Sequence, residues 1–157
     1  LLVQTVRLQG AADVTVVERN AARGKLAQAL GADRWIKDVD ALEQGRFDVV
    51  VDASGAIPLM TRAIDLARRG GTVLFFGVAP AGQHMEIEPF KVFEKGLTLL
   101  SSFTSVRNSL QAVALLQEHQ IDVAPLISHR LPLEDFERGV RLIEAGLEDV
   151  KKVLLVS

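Results

Sequence analysis

Phe47-Asp48-Val49-Val50-Val51-Asp52-Ala53-Ser54-Gly55 is a run that is apolar through its centre and then turns abruptly small. Such a run reads as a strand covered on both faces, and the three small residues carry the chain out of it. Behind it, Ile57, Met60, Ile64 and Ala67 recur at helical spacing, which predicts a helix that Gly70-Gly71 ends. Thr72 to Phe76 is the next strand, stopped by Gly77 and Pro80. Strand, turn, helix, strand is the repeating unit of an α/β domain with a parallel sheet.

The same alternation extends outward. Leu2, Val3 and Val6 share one helical face that ends near Gly10, and Val14-Thr15-Val16-Val17-Glu18 is a short strand. Asn20 is placed to cap a helix with Leu26, Ala27 and Leu30 on one side and Gly31 at its end. Trp35-Ile36 reads as a brief strand. Downstream come a Gly- and Pro-containing loop over 78–89, a short helix to Lys95 and a strand from Leu97 to Ser102. A helix from Asn108 to His119 is carried by Leu110, Val113 and Leu116, and 124–131 is extended. Pro132 starts a helix with Phe136, Val140 and Ile143 on one face, and Val153 to Val156 is a last strand. Strands 14–18, 48–52, 72–76 and 97–102 are expected in one parallel sheet with helices on both faces. The first two should be separated by the place of another strand.

The 157 residues and 17.1 kDa predict one compact domain. Hydrophobic residues make up 48% and charged residues 24%, the balance of a soluble globular protein. A net charge of −2 without a basic block argues against nucleic acid or an anionic membrane as partner. The absence of Cys excludes disulfides, thiolate nucleophiles and Cys-ligated zinc within this chain. No uncharged apolar run reaches the ~18 residues of a membrane span. Leu1-Leu2-Val3-Gln4 is neither an initiator Met nor a signal peptide, so the chain reads as one entered midway, from an intracellular, cytoplasmic protein.

Glu18 ends a buried strand at the position where open α/β sheets place their ligands. A carboxylate there can accept from both hydroxyls of an adenosine ribose; the alternative is a solvated strand-end charge. Ala53-Ser54-Gly55, Gly77-Val78-Ala79 and Ser101-Ser102 are small residues at successive strand ends, which let a flat ligand approach the backbone. Each alone is an ordinary turn, and three in series suggest a shared crevice. The phosphate cradle G-x-G-x-x-G is absent. His84, His119 and His129 have no metal-ligand spacing, and no Ser sits in a nucleophile-elbow context. Glu134, Asp135 and Glu137 suit the first turn of a helix. Lys151-Lys152 is either a solvated pair or a partner for phosphate.

Val14–Glu18, the stretch Asn20 to Asp33, Phe47–Gly55, Gly70–Gly77 and Leu97–Phe103 together resemble the cofactor domain of medium-chain, zinc-type alcohol and polyol dehydrogenases. Sorbitol and threonine dehydrogenase-like members are the nearest in look. The tail, Leu131 to Gly146 followed by Lys152-Val-Leu-Leu, resembles that family's C-terminal segment. The resemblance implies a Rossmann-like, doubly wound parallel sheet without its first strand and glycine-rich turn. It implies a dinucleotide-binding part over 1–103 and a C-terminal segment over 104–157 that packs back toward a catalytic domain. Glu18, with Arg19 beside it, matches the acidic residue that holds the adenosine ribose. Ala53, Ser54 and Gly55 match the turn on the adenosine side. Phe76, Gly77 and Val78 match the strand end that meets the nicotinamide carboxamide, and Ser101 and Phe103 the second contact to it. Lys152 matches a basic residue near the pyrophosphate.

The resemblance further implies a hydride transfer between an alcohol or polyol and NAD, with NADP left open by Arg19 and Arg23. Zinc would assist in the complete enzyme, its ligands lying outside this chain, and this chain alone is expected to be inactive. A homo-oligomer is implied by analogy. Three alternatives stand beside it: a zinc-free quinone-reductase-like oxidoreductase, an S-adenosylmethionine-dependent methyltransferase, and a non-catalytic α/β binding module.

Overall fold

A computed structural model describes residues 1–104, 108–146 and 149–157. The chain divides into two compact units, Leu1–Lys37 with Arg107–Ser157, and Asp38–Val106. This differs from the single domain expected from length.

In the first unit, α1 (Leu2–Leu8) leads to β1 (Thr15–Val17), α2 (Ala21–Ala29) and β2 (Arg34–Ile36). β1 and β2 pair in parallel, Val16 opposite Trp35. The junction is fixed by Arg7, whose guanidinium donates to the carbonyls of Gly31 (2.8 Å), Ala11 (2.7 Å) and Ala12 (2.8 Å) and pairs with Asp33. Asp33 in turn accepts from the Val14 amide at 2.7 Å. Asn20 caps α2 as expected, its side chain accepting from the Arg23 amide at 3.1 Å. Gly24 in α2 is buried against the Trp35 indole, where any β-carbon would overlap the ring.

The unit resumes with α5 (Ser109–Gln117), a 3₁₀ turn over Ala124–Leu126, β6 (His129–Pro132), a second 3₁₀ turn over Leu133–Asp135, α6 (Phe136–Ala145) and β7 (Val153–Val156). (The strands and helices between these in the chain lie in the second unit and are described next.) β6 and β7 pair in parallel over a cluster of Leu131, Leu142 and Val150. Here the structure corrects three expectations. Residues 124–126 turn instead of running extended, and Pro132 ends a strand instead of starting a helix. α6 buries Gly139 and Leu142, because a glycine lets the helix approach Val153 and Leu131 closely. The expected face is left open, with Phe136 57% and Ile143 58% exposed.

The second unit holds β3 (Phe47–Asp52), α3 (Ile57–Leu66), β4 (Ala67–Phe75), α4 (Pro89–Lys95) and β5 (Thr98–Ser101). Its three strands pair in parallel in the order β3-β4-β5 around a core of Ala63, Ala67 and Val73. α3 ends at Leu66, not at the glycine pair. Lys95 explains the early stop: its ammonium donates to the carbonyls of Ile64 (3.1 Å), Asp65 (3.0 Å) and Ala67 (2.5 Å), covering the helix C-terminus. Gly70 and Gly71 instead serve an irregularity in β4, where the partner of β3 jumps from Ala67 to Thr72.

The strands expected in one sheet therefore fall into two, β1-β2 and β3-β4-β5. β1 pairs only with β2 and β3 only with β4, so each has an edge that no described strand fills. The α/β, Rossmann-like class of parallel sheet and crossing helix stands.

Candidate functional site

The expected site residues lie in both units, and each group has its own geometry. In the second unit the centre is Asp52, the last residue of β3 and the one buried polar or charged side chain among the described residues. Its Oδ1 accepts from the Ser54 amide (3.2 Å) and hydroxyl (2.6 Å), and its Oδ2 from the Gly55 amide (3.0 Å). Its backbone carbonyl accepts from the amides of Phe76 (2.9 Å) and Gly77 (2.8 Å). The turns 53–55 and 76–78 are thereby brought together.

Two glycines make that approach possible. A β-carbon on Gly77 would overlap the Gly55 nitrogen and lie 2.7 Å from the Ser54 nitrogen and 2.8 Å from Asp52 Oδ2. Gly55 has φ +70°, and a β-carbon there would overlap the Val78 carbonyl. Around this backbone crossing, Ala53, Ser54, Phe76 and Val78 are exposed, Val78 by 86%. The result is a small-residue surface edged by two apolar side chains, at the carboxyl ends of parallel strands, where open sheets take their ligands. Ser101 stands opposite Phe75 in the β4–β5 register, and the Ser102 amide donates to the Phe75 carbonyl at 3.4 Å. Phe103 follows with 85% of its surface exposed.

In the first unit Glu18 follows β1, half-buried, its Oε1 accepting from the Asn20 amide at 2.8 Å. Its carbonyl accepts from the Trp35 indole N–H at 2.8 Å, so both backbone and side chain are held. Arg19 is exposed, and Arg23 reaches the Val150 carbonyl at 3.4 Å. Lys152 has its backbone fastened by Ser128, whose Oγ accepts from the amides of Lys151 (2.9 Å) and Lys152 (3.2 Å). Two open cavities of the first unit have volumes of about 310 and 390 Å³; Arg23 and Lys151 line the first, and Glu18, Arg19 and Lys152 line neither.

Sequence reasoning did not single out Asp52. The signal available was Asp before Ala-Ser-Gly, a local turn in which the carboxylate accepts from residues two and three positions on; that the Asp52 carbonyl also takes the Phe76 and Gly77 amides is a tertiary fact. Gly24 was likewise missed, because its partner Trp35 is remote in sequence.

In the second unit the glycine crossing leaves room for a flat ring against the backbone; in the first, the held carboxylate of Glu18 is an acceptor suited to hydroxyl groups. A metal set does not form: the chain has no Cys, and no group of three His, Asp or Glu stands together among the described residues.

A family profile described as zinc-binding dehydrogenase matches residues 1–118. The chain belongs to the zinc-binding dehydrogenase family. It is 38% identical over 137 residues to D-altritol 5-dehydrogenase of Agrobacterium fabrum, covering 86% of this chain and 41% of that one. It is 32% identical over 151 residues to L-threonine 3-dehydrogenase of Rhizobium johnstonii, covering 87% and 42%. Among solved structures, a provisionally assigned zinc-binding dehydrogenase of Sinorhizobium meliloti 1021, bound to NADP, superposes with a TM-score of 0.90 at 30% identity. That match covers 99% of this chain and 48% of the other. The chain thus spans less than half the length of these relatives. The comparisons favour neither a quinone reductase, a methyltransferase nor an interaction module.

Proposed function

We propose that this chain is the cofactor-binding portion of an NAD-dependent alcohol or polyol dehydrogenase. Residues 1–103 are the dinucleotide-binding part, and 104–157 pack back toward a catalytic part. The observation that carries the reading is the close crossing of two backbone turns at Gly55 and Gly77, where neither residue has room for a β-carbon. In this reading Glu18 accepts from the adenosine ribose, with Arg19 beside it. Ala53, Ser54 and Gly55 face the adenosine side, Phe76, Gly77, Val78, Ser101 and Phe103 the nicotinamide, and Lys152 the pyrophosphate. The Phe76 and Gly77 amides are spent on the Asp52 carbonyl, so the carboxamide would meet carbonyl oxygens of this turn. Exposed Phe76 and Val78 would shed water from one ring face.

When bound, the nicotinamide supplies the hydride acceptor or donor; the chain's residues bind and orient it. Zinc and its ligands belong to residues outside this chain. The apolar stripe of Leu133, Phe136, Val140 and Ile143, 36–62% exposed, supports the packing role of the C-terminal segment. The substrate is a small alcohol or polyol, consistent with the names of the relatives. A cytoplasmic homo-oligomer is the expectation by family analogy; the net charge of −2 without a basic block accords with the lack of a nucleic-acid or anionic-membrane partner, and no described helix is long and apolar enough to cross a membrane.

NAD is preferred over NADP because a 2′-phosphate would bring like charge to Glu18. At ~4 Å this repulsion is on the order of 4 kcal/mol per unit pair at a surface-like dielectric, less after salt and side-chain movement. The test is kcat/KM with each cofactor, over a panel of polyols, in the full-length enzyme and in Glu18→Ser. The wild type should favour NAD by at least about tenfold and the variant should lose that preference. A wild type that prefers NADP, or a ratio unmoved by the substitution, would contradict Glu18 as selector.

A further inference from the structure

Asp52 is 6% exposed, and no ion pair to it forms among the described residues. A buried carboxylate without a counter-charge is retained only where donors are aimed at it. All of the donors to this side chain come from one turn: the Ser54 amide and hydroxyl and the Gly55 amide. Its own carbonyl takes the Phe76 and Gly77 amides from the other turn. One residue thus holds both backbone segments whose glycines interpenetrate.

We propose that Asp52 is a positioning residue: its carboxylate orders the 53–55 turn and, through the Gly55–Gly77 contact, the 76–78 turn, so that both are preset for the dinucleotide. This rests on the cofactor reading above. The carboxylate supplies acceptors only, which is what three converging N–H and O–H groups require. An amide of the same size turns one acceptor into a donor and must lose either the Ser54 or the Gly55 amide. Ser54 links the same system to the following helix, since its hydroxyl also accepts from the Ala56 amide at 3.1 Å.

The experiment uses the full-length enzyme, with Asp52→Asn and the milder Ser54→Ala. Amide hydrogen exchange is followed without ligand, and calorimetric titrations use NAD and ADP-ribose. Asp52→Asn should speed exchange across 53–56 and 76–78 by about tenfold and weaken both ligands by a similar factor, as expected for a lost hydrogen bond to a charged group. Ser54→Ala should do the same by about threefold. A purely structural role would lower the unfolding temperature while leaving ligand affinity unchanged. Unchanged exchange in both turns, or unchanged affinity where the wild type binds, overturns the proposal. If Asp52→Asn does not fold, Ser54→Ala decides by the same two readouts. A wild type that binds neither ligand overturns the cofactor reading and this proposal with it; a binding wild type with indifferent variants overturns this proposal alone.

Discussion

Gly77 tolerates no β-carbon, since one would meet two backbone nitrogens and a carboxylate oxygen at once. None of these is the far end of a flexible side chain, so the turns themselves must move. Gly77→Ala should cost about 1–3 kcal/mol of stability, the usual range for overpacking, and weaken dinucleotide binding more than an equally destabilising core change such as Val73→Ala. Denaturant unfolding paired with cofactor titration checks this; equal binding in the two variants would contradict it. Asp33 permits a second test. The Val14 amide, and then the Arg7 guanidinium, hold its carboxyl below the ordinary carboxylate range. A folded value lower than the unfolded one contributes stability above about pH 4 that is lost as pH falls through the folded value. Asp33→Asn should therefore lower the urea midpoint at pH 7, and the gap to wild type should narrow at pH 3. A gap that is constant with pH would contradict the sign. At this scale the sequence is least informative: Glu18 and the glycines are conspicuous by position, whereas the Phe76 and Gly77 amides on the Asp52 carbonyl and the Trp35 ring over Gly24 are partners that only folding supplies.

Strands were the legible elements. Phe47–Asp52 and Val153–Val156 could be read to the residue because an apolar run bounded by small or charged residues has one pleated solution. Helix ends were less so, and α3 shows why. Its apolar period runs on through Ala67, yet the chain turns extended there because Lys95, from the far side of the β4–β5 connection, takes three carbonyls near its end. Helical periodicity carries no record of a remote ammonium. Lys95→Met keeps the stem and removes the donors; it should destabilise the protein by about 1–3 kcal/mol, read as a lower thermal midpoint with faster amide exchange at the end of α3. Unchanged exchange there would mean the helix stops for another reason. The faces of α5 and α6 were read correctly as apolar but not as exposed: Leu110 is 83% and Phe136 57% accessible. Period shows that a face is apolar; what covers it lies outside the pattern.

Taken whole, the chain carries the features of a cofactor-binding part and no metal set among its described residues, in a family whose curated relatives are more than twice its length. The 157-residue chain alone should show no zinc-dependent oxidation of polyols, and turnover above background would contradict that division of labour. Fold class and family were legible because strand order, turn spacing and the C-terminal segment recur together, each weak alone. That the strands expected together fall into two sheets was not legible, because the alternation of strand and helix does not say which strands pair. The claim that Glu18 and the strand ends hold a dinucleotide is tested most directly through Trp35, the chain's one tryptophan, whose indole N–H donates to the Glu18 carbonyl. With 5-fluorotryptophan incorporated into the full-length enzyme, the Trp35 resonance is the ¹⁹F signal that Trp35→Phe abolishes. On titration with NAD that signal should shift saturably, and the shift should need a higher NAD concentration in Glu18→Ser. A Trp35 signal that stays unmoved at saturating NAD would contradict the account.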